Sequence, residues 1–133
     1  MSPEALERQA RAYIAAVEGG ATGEDLARFY HPDVVQHEAP NRLNPVGAER
    51  VLGDILEVAE AGARLMARQI YDIHTVTMAG DRVVLEVSWT GYPARPVGMT
   101  KPGEPVQAHI CQVLEFEDGL IIRQRTYDCF EPF

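Results

Sequence analysis

The sequence of 133 residues lacks the features that mark several large classes of protein. It has only two cysteines, Cys111 and Cys129, and neither belongs to a CxxC pair, so a disulfide framework is not indicated. No apolar run approaches the roughly 20 residues that a membrane-spanning helix needs. The start of the chain also lacks the basic and apolar stretches of a signal peptide. These absences predict a cytoplasmic protein, without a membrane segment, whose two thiols are reduced.

Basic residues are scarce as well. Twelve Lys and Arg stand against 20 Asp and Glu, which gives a formal net charge of −8. The cations are scattered between Arg8 and Arg125 and form no stripe, so the chain is expected to repel phosphate backbones. No glycine-rich phosphate loop follows a predicted strand, and no GxSxG motif is present. We therefore predict no nucleic-acid partner and no cofactor.

What the sequence does contain is enough apolar residues for one core. The hydrophobic fraction is 46%, and the length suits a single domain over residues 1–133. The first half predicts three helices. The first is capped by Ser2 and has an apolar stripe that includes Tyr13, a short second helix follows, and the third runs from after Gly47 to about Ala61.

The second half of the chain alternates apolar and polar residues with period two. Strands are predicted at 34–37, 69–78, 83–92, 106–117 and 120–128. Helices segregated from a run of antiparallel strands predict an α+β domain with the helices on one face of a bent sheet. The interior of such a sheet is either filled by side chains or left open for a ligand.

Several stretches, in matching order and spacing, resemble SnoaL-like domains of the nuclear transport factor 2 superfamily. The segment FYHPDVVQHE at residues 29–38 resembles the start of those domains. DRV at 81–83, followed by WTG at 89–91, resembles their central hairpin. EDGLII at 117–122, leading to RTYD at 125–128, resembles their closing strand. Together these stretches cover nearly the whole chain.

This resemblance implies a cone-shaped α+β barrel, in which a strongly curved, mostly antiparallel sheet carries three N-terminal helices. Proteins of this fold include ketosteroid-isomerase-like enzymes, polyketide cyclases, epoxide hydrolases, dehydratases and non-catalytic binding modules, and they frequently dimerise through the outer face of the sheet. In many relatives the closing aspartate lies one residue later, where this chain has Cys129. Alternation would then turn Asp128 to the opposite side of its strand, unless a bulge restores it.

Asp128 is the first candidate for a catalytic base. In an apolar cone its ionised form would be desolvated and its pKa raised. It would then remove a proton next to a carbonyl, which is the chemistry that the resemblance implies. The alternative is a solvated carboxylate, or one paired with Arg125.

Three further residues are candidates for stabilising an oxyanion or returning the proton. His37 is expected near the mouth of the cone, and the alternative is a loop histidine bonded to backbone. His109 faces the cone only if the side of its strand that carries Cys111 and Val113 is the inner one. Tyr13 offers a hydroxyl from the first helix, and the alternative is a core tyrosine.

The ligand pocket is predicted to be lined by Trp89, Phe29, Tyr30, Leu56 and Tyr127. Four residues are possible metal ligands: His37, Glu38, His109 and Asp128. No pair among them has the i, i+4 spacing of a helical metal motif, so no metal is expected. The two aromatics of the last four residues are expected to pack on the domain or across a dimer.

The leading hypothesis is a small enzyme of the SnoaL-like type. It would perform cofactor-independent acid–base chemistry, as an isomerase, cyclase or dehydratase, on an apolar carbonyl-bearing substrate. One alternative is a module that binds a small apolar ligand without catalysis. The other is an interaction domain whose cone is filled by its own aromatics. The expected partners are a small apolar ligand and a second copy of the chain, bound through the sheet face.

Overall fold

A computed structural model describes residues 1–133 of the chain. It contains three helices and six strands: α1 (Pro3–Glu18), α2 (Glu24–Ala27), β1 (Tyr30–Glu38), β2 (Ala48–Arg50), α3 (Leu52–Leu65), β3 (Met66–Ala79), β4 (Arg82–Pro93), β5 (Val106–Glu117) and β6 (Leu120–Phe130). The strands form one curved sheet in the order β2-β1-β6-β5-β4-β3, in which only β1 and β6 run parallel. This confirms the predicted α+β fold. The sheet is open, because the edge strands β2 and β3 do not pair with each other.

Helix α1 begins where its sequence predicts. The Ser2 Oγ atom accepts a hydrogen bond from the Ala5 N–H at 3.1 Å, and Pro3 occupies the first helical position. Its apolar stripe is buried through Leu6, Ala10, Tyr13 and Ile14. None of the helices has the length and apolar composition needed to cross a membrane.

The observed elements differ from the predicted ones mainly at their ends. β1 begins at Tyr30, earlier than predicted, and β2 was not predicted because three residues are too few for a periodic signal. β2 pairs antiparallel with residues 36–38 of β1. The third helix consequently begins at Leu52, where the Asp54 carboxylate accepts a hydrogen bond from the Val51 N–H at 3.2 Å.

The concave face of the sheet is filled at one end and open at the other. At the filled end, α1 and α2 pack on the strands and bury a core of 15 residues. That core includes Leu6, Phe29, Val83, Leu85, Leu114, Phe116 and Ile121. A smaller cluster of Trp89, Val106 and Ala108 lies at the other end.

The C-terminus of the chain packs on the smaller cluster. Phe130 lies edge to face with Trp89, with ring centroids 6.1 Å apart, and Phe133 lies edge to face with Phe130 at 5.7 Å. Phe133 also packs on Gly98, in the loop between β4 and β5. The closing aromatics therefore pack on the domain, one of the two predicted outcomes. Gly91 is needed beside Trp89, because a Cβ atom there would overlap the indole ring.

Candidate functional site

The open end of the sheet holds a cavity of about 320 Å³. Its wall is formed by the concave faces of β3 to β6 together with parts of α1, β1 and α3, and 14 of its 24 lining residues are hydrophobic. The volume falls at the lower end of the range for small-molecule sites, roughly 300–1,000 Å³. A few polar side chains interrupt this apolar wall, and they determine what the cavity can do chemically.

A β-bulge in β6 decides that Asp128 faces the cavity. Phe116 pairs with Ile121, but the preceding residue of β5 pairs with Arg123, so Ile122 is an extra residue in β6. Alternation from the buried Ile121 would turn the odd-numbered residues inward, and the extra residue reverses this phase. Asp128 therefore lines the cavity with the other even-numbered residues of the strand, Gln124, Thr126 and Phe130.

The Asp128 carboxyl lies in mostly apolar surroundings. It pairs across the sheet with Ile110, and no side chain donates a hydrogen bond to it. Burial and, to a smaller extent, the nearby negative charge of Glu38 raise the pKa of Asp128 to about 6. Asp128 is therefore a poorly solvated carboxyl that changes its charge close to neutral pH.

Glu38 is the second acidic side chain of the cavity wall, and it is paired. Arg50 Nη1 donates a hydrogen bond to Glu38 Oε1 at 2.8 Å, and Asn41 Nδ2 donates to Glu38 Oε2 at 2.7 Å. The Arg50 and Glu38 side chains are only 13% and 18% exposed. No group of three or more His, Cys, Asp or Glu in the chain is arranged to hold a metal ion.

A chain of side-chain amides crosses the cavity wall. Arg50 Nη1 donates to Gln36 Oε1 at 3.1 Å, and Gln36 Nε2 donates to Gln124 Oε1 at 2.9 Å. Gln124 Nε2 in turn donates to Gln112 Oε1 at 2.9 Å. Gln124 and Gln112 are 1% and 7% exposed, so these hydrogen bonds form away from bulk water.

Two tyrosines complete this network. The hydroxyl oxygens of Tyr13 and Tyr30 lie 2.5 Å apart. Gln124 Nε2 donates to the Tyr13 hydroxyl at 2.9 Å, and the Tyr30 hydroxyl donates to Gln124 Oε1 at 3.3 Å. Burial raises the pKa of both tyrosines, so both keep their protons.

The predicted site residues fall into three groups, of which the first lines the cavity: Asp128, Tyr13 and Trp89. The second group belongs to the hydrophobic core and not to the cavity wall: Phe29, Tyr30 and Leu56. Tyr30 begins β1, and Phe29 directly precedes it, at the filled end of the sheet beside the start of β6.

The third group lies on the convex face of the sheet, away from the cavity. β1 turns Gln36 and Glu38 inward, so His37 between them points outward, not to the mouth. Tyr127, adjacent to Asp128, is outward for the same reason and is 43% exposed.

His109 is the remaining member of that group. The buried residues Ala108 and Gln112 show that the even-numbered residues of β5 face inward, so His109 faces solvent. Its Nε2 atom lies 2.7 Å from Glu131 Oε1, and both side chains are more than half exposed.

The sequence alone does not identify several polar residues of the cavity: Gln36, Glu38, Arg50, Gln112, Gln124 and Thr126. For Gln112 a signal existed, since it interrupts an otherwise apolar inward series between Ile110 and Leu114. For Arg50 no local signal existed, because it lies in the unpredicted strand β2.

Comparison with known proteins identifies the family. The family model of the SnoaL-like domain matches residues 10–124, which is most of the chain. A search of curated proteins finds no match.

Solved structures share the fold at low sequence identity. AclR, a candidate hydroxylase from Streptomyces galilaeus, is 18% identical and has a TM-score of 0.80 over 98% of this chain and 83% of its own. IdmH, a candidate polyketide cyclase from Streptomyces antibioticus, is 20% identical with a TM-score of 0.76 over 92% of this chain and 91% of its own. An LEH-like epoxide hydrolase from M. tuberculosis is 17% identical, with a TM-score of 0.72 over 94% of this chain and 83% of its own. At these identities the likeness shows the fold alone.

Proposed function

We propose that this chain, which belongs to the SnoaL-like domain family, is an enzyme that performs cofactor-independent acid–base chemistry. Its substrate is a small apolar molecule that carries a carbonyl group. The structural relatives include a candidate polyketide cyclase and an epoxide hydrolase, which supports an enzyme acting on a small molecule.

The observation that carries the proposal is an unpaired carboxyl in an apolar cavity of about 320 Å³. At neutral pH Asp128 is mostly ionised, because its pKa is about 6, yet it is poorly solvated. In the reaction, a carboxylate oxygen takes a proton from the carbon next to the carbonyl, and the electrons of that C–H bond form an enolate. Asp128 then delivers the proton to another carbon in an isomerisation, to a new alkoxide in a cyclisation, or to a departing hydroxide in a dehydration.

The two histidines have no part in this mechanism. His37 and His109 lie on the convex face, so neither reaches a molecule held in the cavity. Of the three residues suggested for stabilising an oxyanion or returning the proton, Tyr13 alone lines the cavity. The proposal therefore assigns the proton transfer to Asp128.

The test is proton–deuteron exchange on a model ketone. The protein is incubated with 2-tetralone in D₂O at pH 7, and loss of the protons next to the carbonyl is followed by ¹H NMR after subtraction of the buffer rate. Because general-base catalysis contributes about 10²–10⁴-fold, we expect Asp128→Asn to lower the protein-dependent rate at least about 100-fold. Asp72→Asn, on the exposed outer side of β3, is the matched control and should keep the wild-type rate. An Asp128→Asn variant with the wild-type rate would reject the proposal.

The second candidate is a module that binds a small apolar ligand without turning it over. The observation that favours it is that no side chain hydrogen-bonds to Asp128 and orients it. A ligand that binds in the cavity and is recovered with no exchanged protons would support this candidate against catalysis. The third hypothesis is an interaction domain whose interior is filled by aromatics, and the cavity of about 320 Å³ counts against it.

We also propose that two copies of the chain associate through the convex face of the sheet. Partly exposed large side chains, Ile70 and Tyr127, lie on this face. Cys111 and Val113 add apolar surface between them. Burial of this surface against a second copy would remove it from water.

A further inference from the structure

The amide chain in the cavity wall has a direction, and Arg50 sets it. A guanidinium group has donors only, so Gln36 must present its oxygen to Arg50 and its NH₂ group to Gln124. Gln124 then accepts through its oxygen and donates through its nitrogen, which requires the oxygen of Gln112 as the acceptor. The chain of amides therefore ends on the NH₂ group of Gln112.

This terminal NH₂ group has no partner within the protein. The side-chain hydrogen bond of Gln112 is the one that its oxygen accepts from Gln124. Every side-chain polar atom that is fully shielded from solvent has a hydrogen-bond partner. Because Gln112 Nε2 has none, it is not fully shielded, and it is open to the cavity that its side chain lines. Because the residue is only 7% exposed, this opening leads into the apolar cavity. Free donors in such a place favour a ligand with an acceptor oxygen.

The Tyr13 hydroxyl, by contrast, already has partners within the protein. It lies 2.5 Å from the Tyr30 hydroxyl, and it accepts a hydrogen bond from Gln124 Nε2 at 2.9 Å. Tyr13 therefore holds Gln124 in place.

We propose that Gln112 binds the carbonyl oxygen of the substrate through its free N–H groups and so places the adjacent C–H group at Asp128. Gln112 pairs across the sheet with Thr126, two residues before Asp128 on the same face. Such diagonal neighbours have Cα atoms about 7–8 Å apart, which leaves room for a carbonyl oxygen at one residue and its neighbouring carbon at the other.

The same amide chain responds to the charge that develops in the reaction. When the electron pair moves towards the carbonyl oxygen, negative charge grows on that oxygen, which the Gln112 N–H groups contact. Those groups belong to an ordered series of amide dipoles whose other end is the Arg50 cation. This inference rests on the proposed function and deepens it by naming the group that holds the carbonyl.

The test compares two ligands that differ only in the carbonyl, 2-tetralone and the hydrocarbon tetralin. Their dissociation constants are measured by ligand-observed NMR at pH 8 for the wild type, Gln112→Met and Gln112→Glu. We expect the preference for the ketone to fall about tenfold in both variants, the usual size of one hydrogen-bond contribution. Gln112→Glu keeps the acceptor that Gln124 needs, so it covers the case in which Gln112→Met does not fold. Gln107→Met makes the same exchange on the exposed outer side of β5, away from the cavity, and should keep the preference.

The outcomes separate this inference from the proposed function. An unchanged preference in the folded Gln112 variants would overturn it, and so would an equal loss in Gln107→Met. A wild type that does not bind the ketone more tightly than tetralin would overturn it as well. Binding needs no proton transfer, so a preference lost in the Gln112 variants stands even if Asp128→Asn still exchanges protons. Conversely, exchange that depends on Asp128 with no effect of Gln112 would reject only the carbonyl site.

Discussion

Adjacent residues of β6 occupy two different environments. Asp128 faces the apolar cavity, where burial raises its pKa to about 6. Tyr127 and Cys129, directly before and after it, are exposed on the convex face, as is His109 on the neighbouring strand. The face of the sheet, more than the residue type, therefore determines which side chains reach the cavity. His37 and His109 lie outside, whereas Gln112 and Gln124 line the cavity.

The largest effect on stability is expected from Asp128 on the concave face. Its pKa is about 6 in the folded protein against an ordinary value of 3.8, so the folded state binds this proton more tightly than the unfolded state does. Stability from this group is therefore full below about pH 4 and is lost as the pH rises towards 6. A shift of about two pKa units corresponds to about 3 kcal/mol. We expect Asp128→Asn to exceed the wild type in free energy of unfolding by up to that amount at pH 8.

Urea unfolding at pH 8 and at pH 3.5 measures this difference. The advantage of Asp128→Asn should almost disappear at pH 3.5, where the wild-type carboxyl is mostly protonated in both states. Asp72→Asn, on the outer side of β3, is the control and should show no such gain. Equal stability of Asp128→Asn and the wild type at pH 8 would contradict a raised pKa of Asp128 on the concave face.

A smaller effect is expected from Tyr127 on the convex face. If two copies associate there, Tyr127→Glu introduces two unpaired charges into the contact and should weaken the dimer at least about tenfold. Sedimentation equilibrium measures the dissociation constant, and the ketone exchange rate of the variant should stay unchanged. Thr77→Glu, near the far end of the edge strand β3, is the control. A monomeric wild type, or a dimer indifferent to Tyr127→Glu, would contradict the proposed contact.

Much of the fold could be predicted from local signals in the sequence. The cap at Ser2 and the apolar stripe gave α1, and alternation around Asp118-Gly119 gave β5 and β6 close to their observed bounds. The short strand β2 could not be predicted, because its pairing with β1 is a contact of the folded sheet and leaves no period in three residues. The comparison with the SnoaL-like domain supports the same fold over residues 10–124.

The site was harder to predict because its residues break the pattern that reveals a buried face. In β5 the inward series contains Gln112, while the outward series contains Cys111 and Val113, so hydrophobicity alone did not decide which way His109 points. In β6 the bulge at Ile122 reverses the alternation, and no glycine or proline at that position indicates it in the sequence. The contact of Arg50 with the glutamines joins distant parts of the chain and has no local signature.

The assignment of Asp128 as the base depends on how its carboxyl ionises. The carboxyl carbon of Asp128 is followed by ¹³C NMR between pH 3 and pH 9, with the signal assigned by its absence in Asp128→Asn. A pKa of about 6 is the result that an apolar cavity predicts. A pKa near the ordinary value of 3.8 would show that Asp128 is solvated, and it would contradict the assignment of this residue as the base.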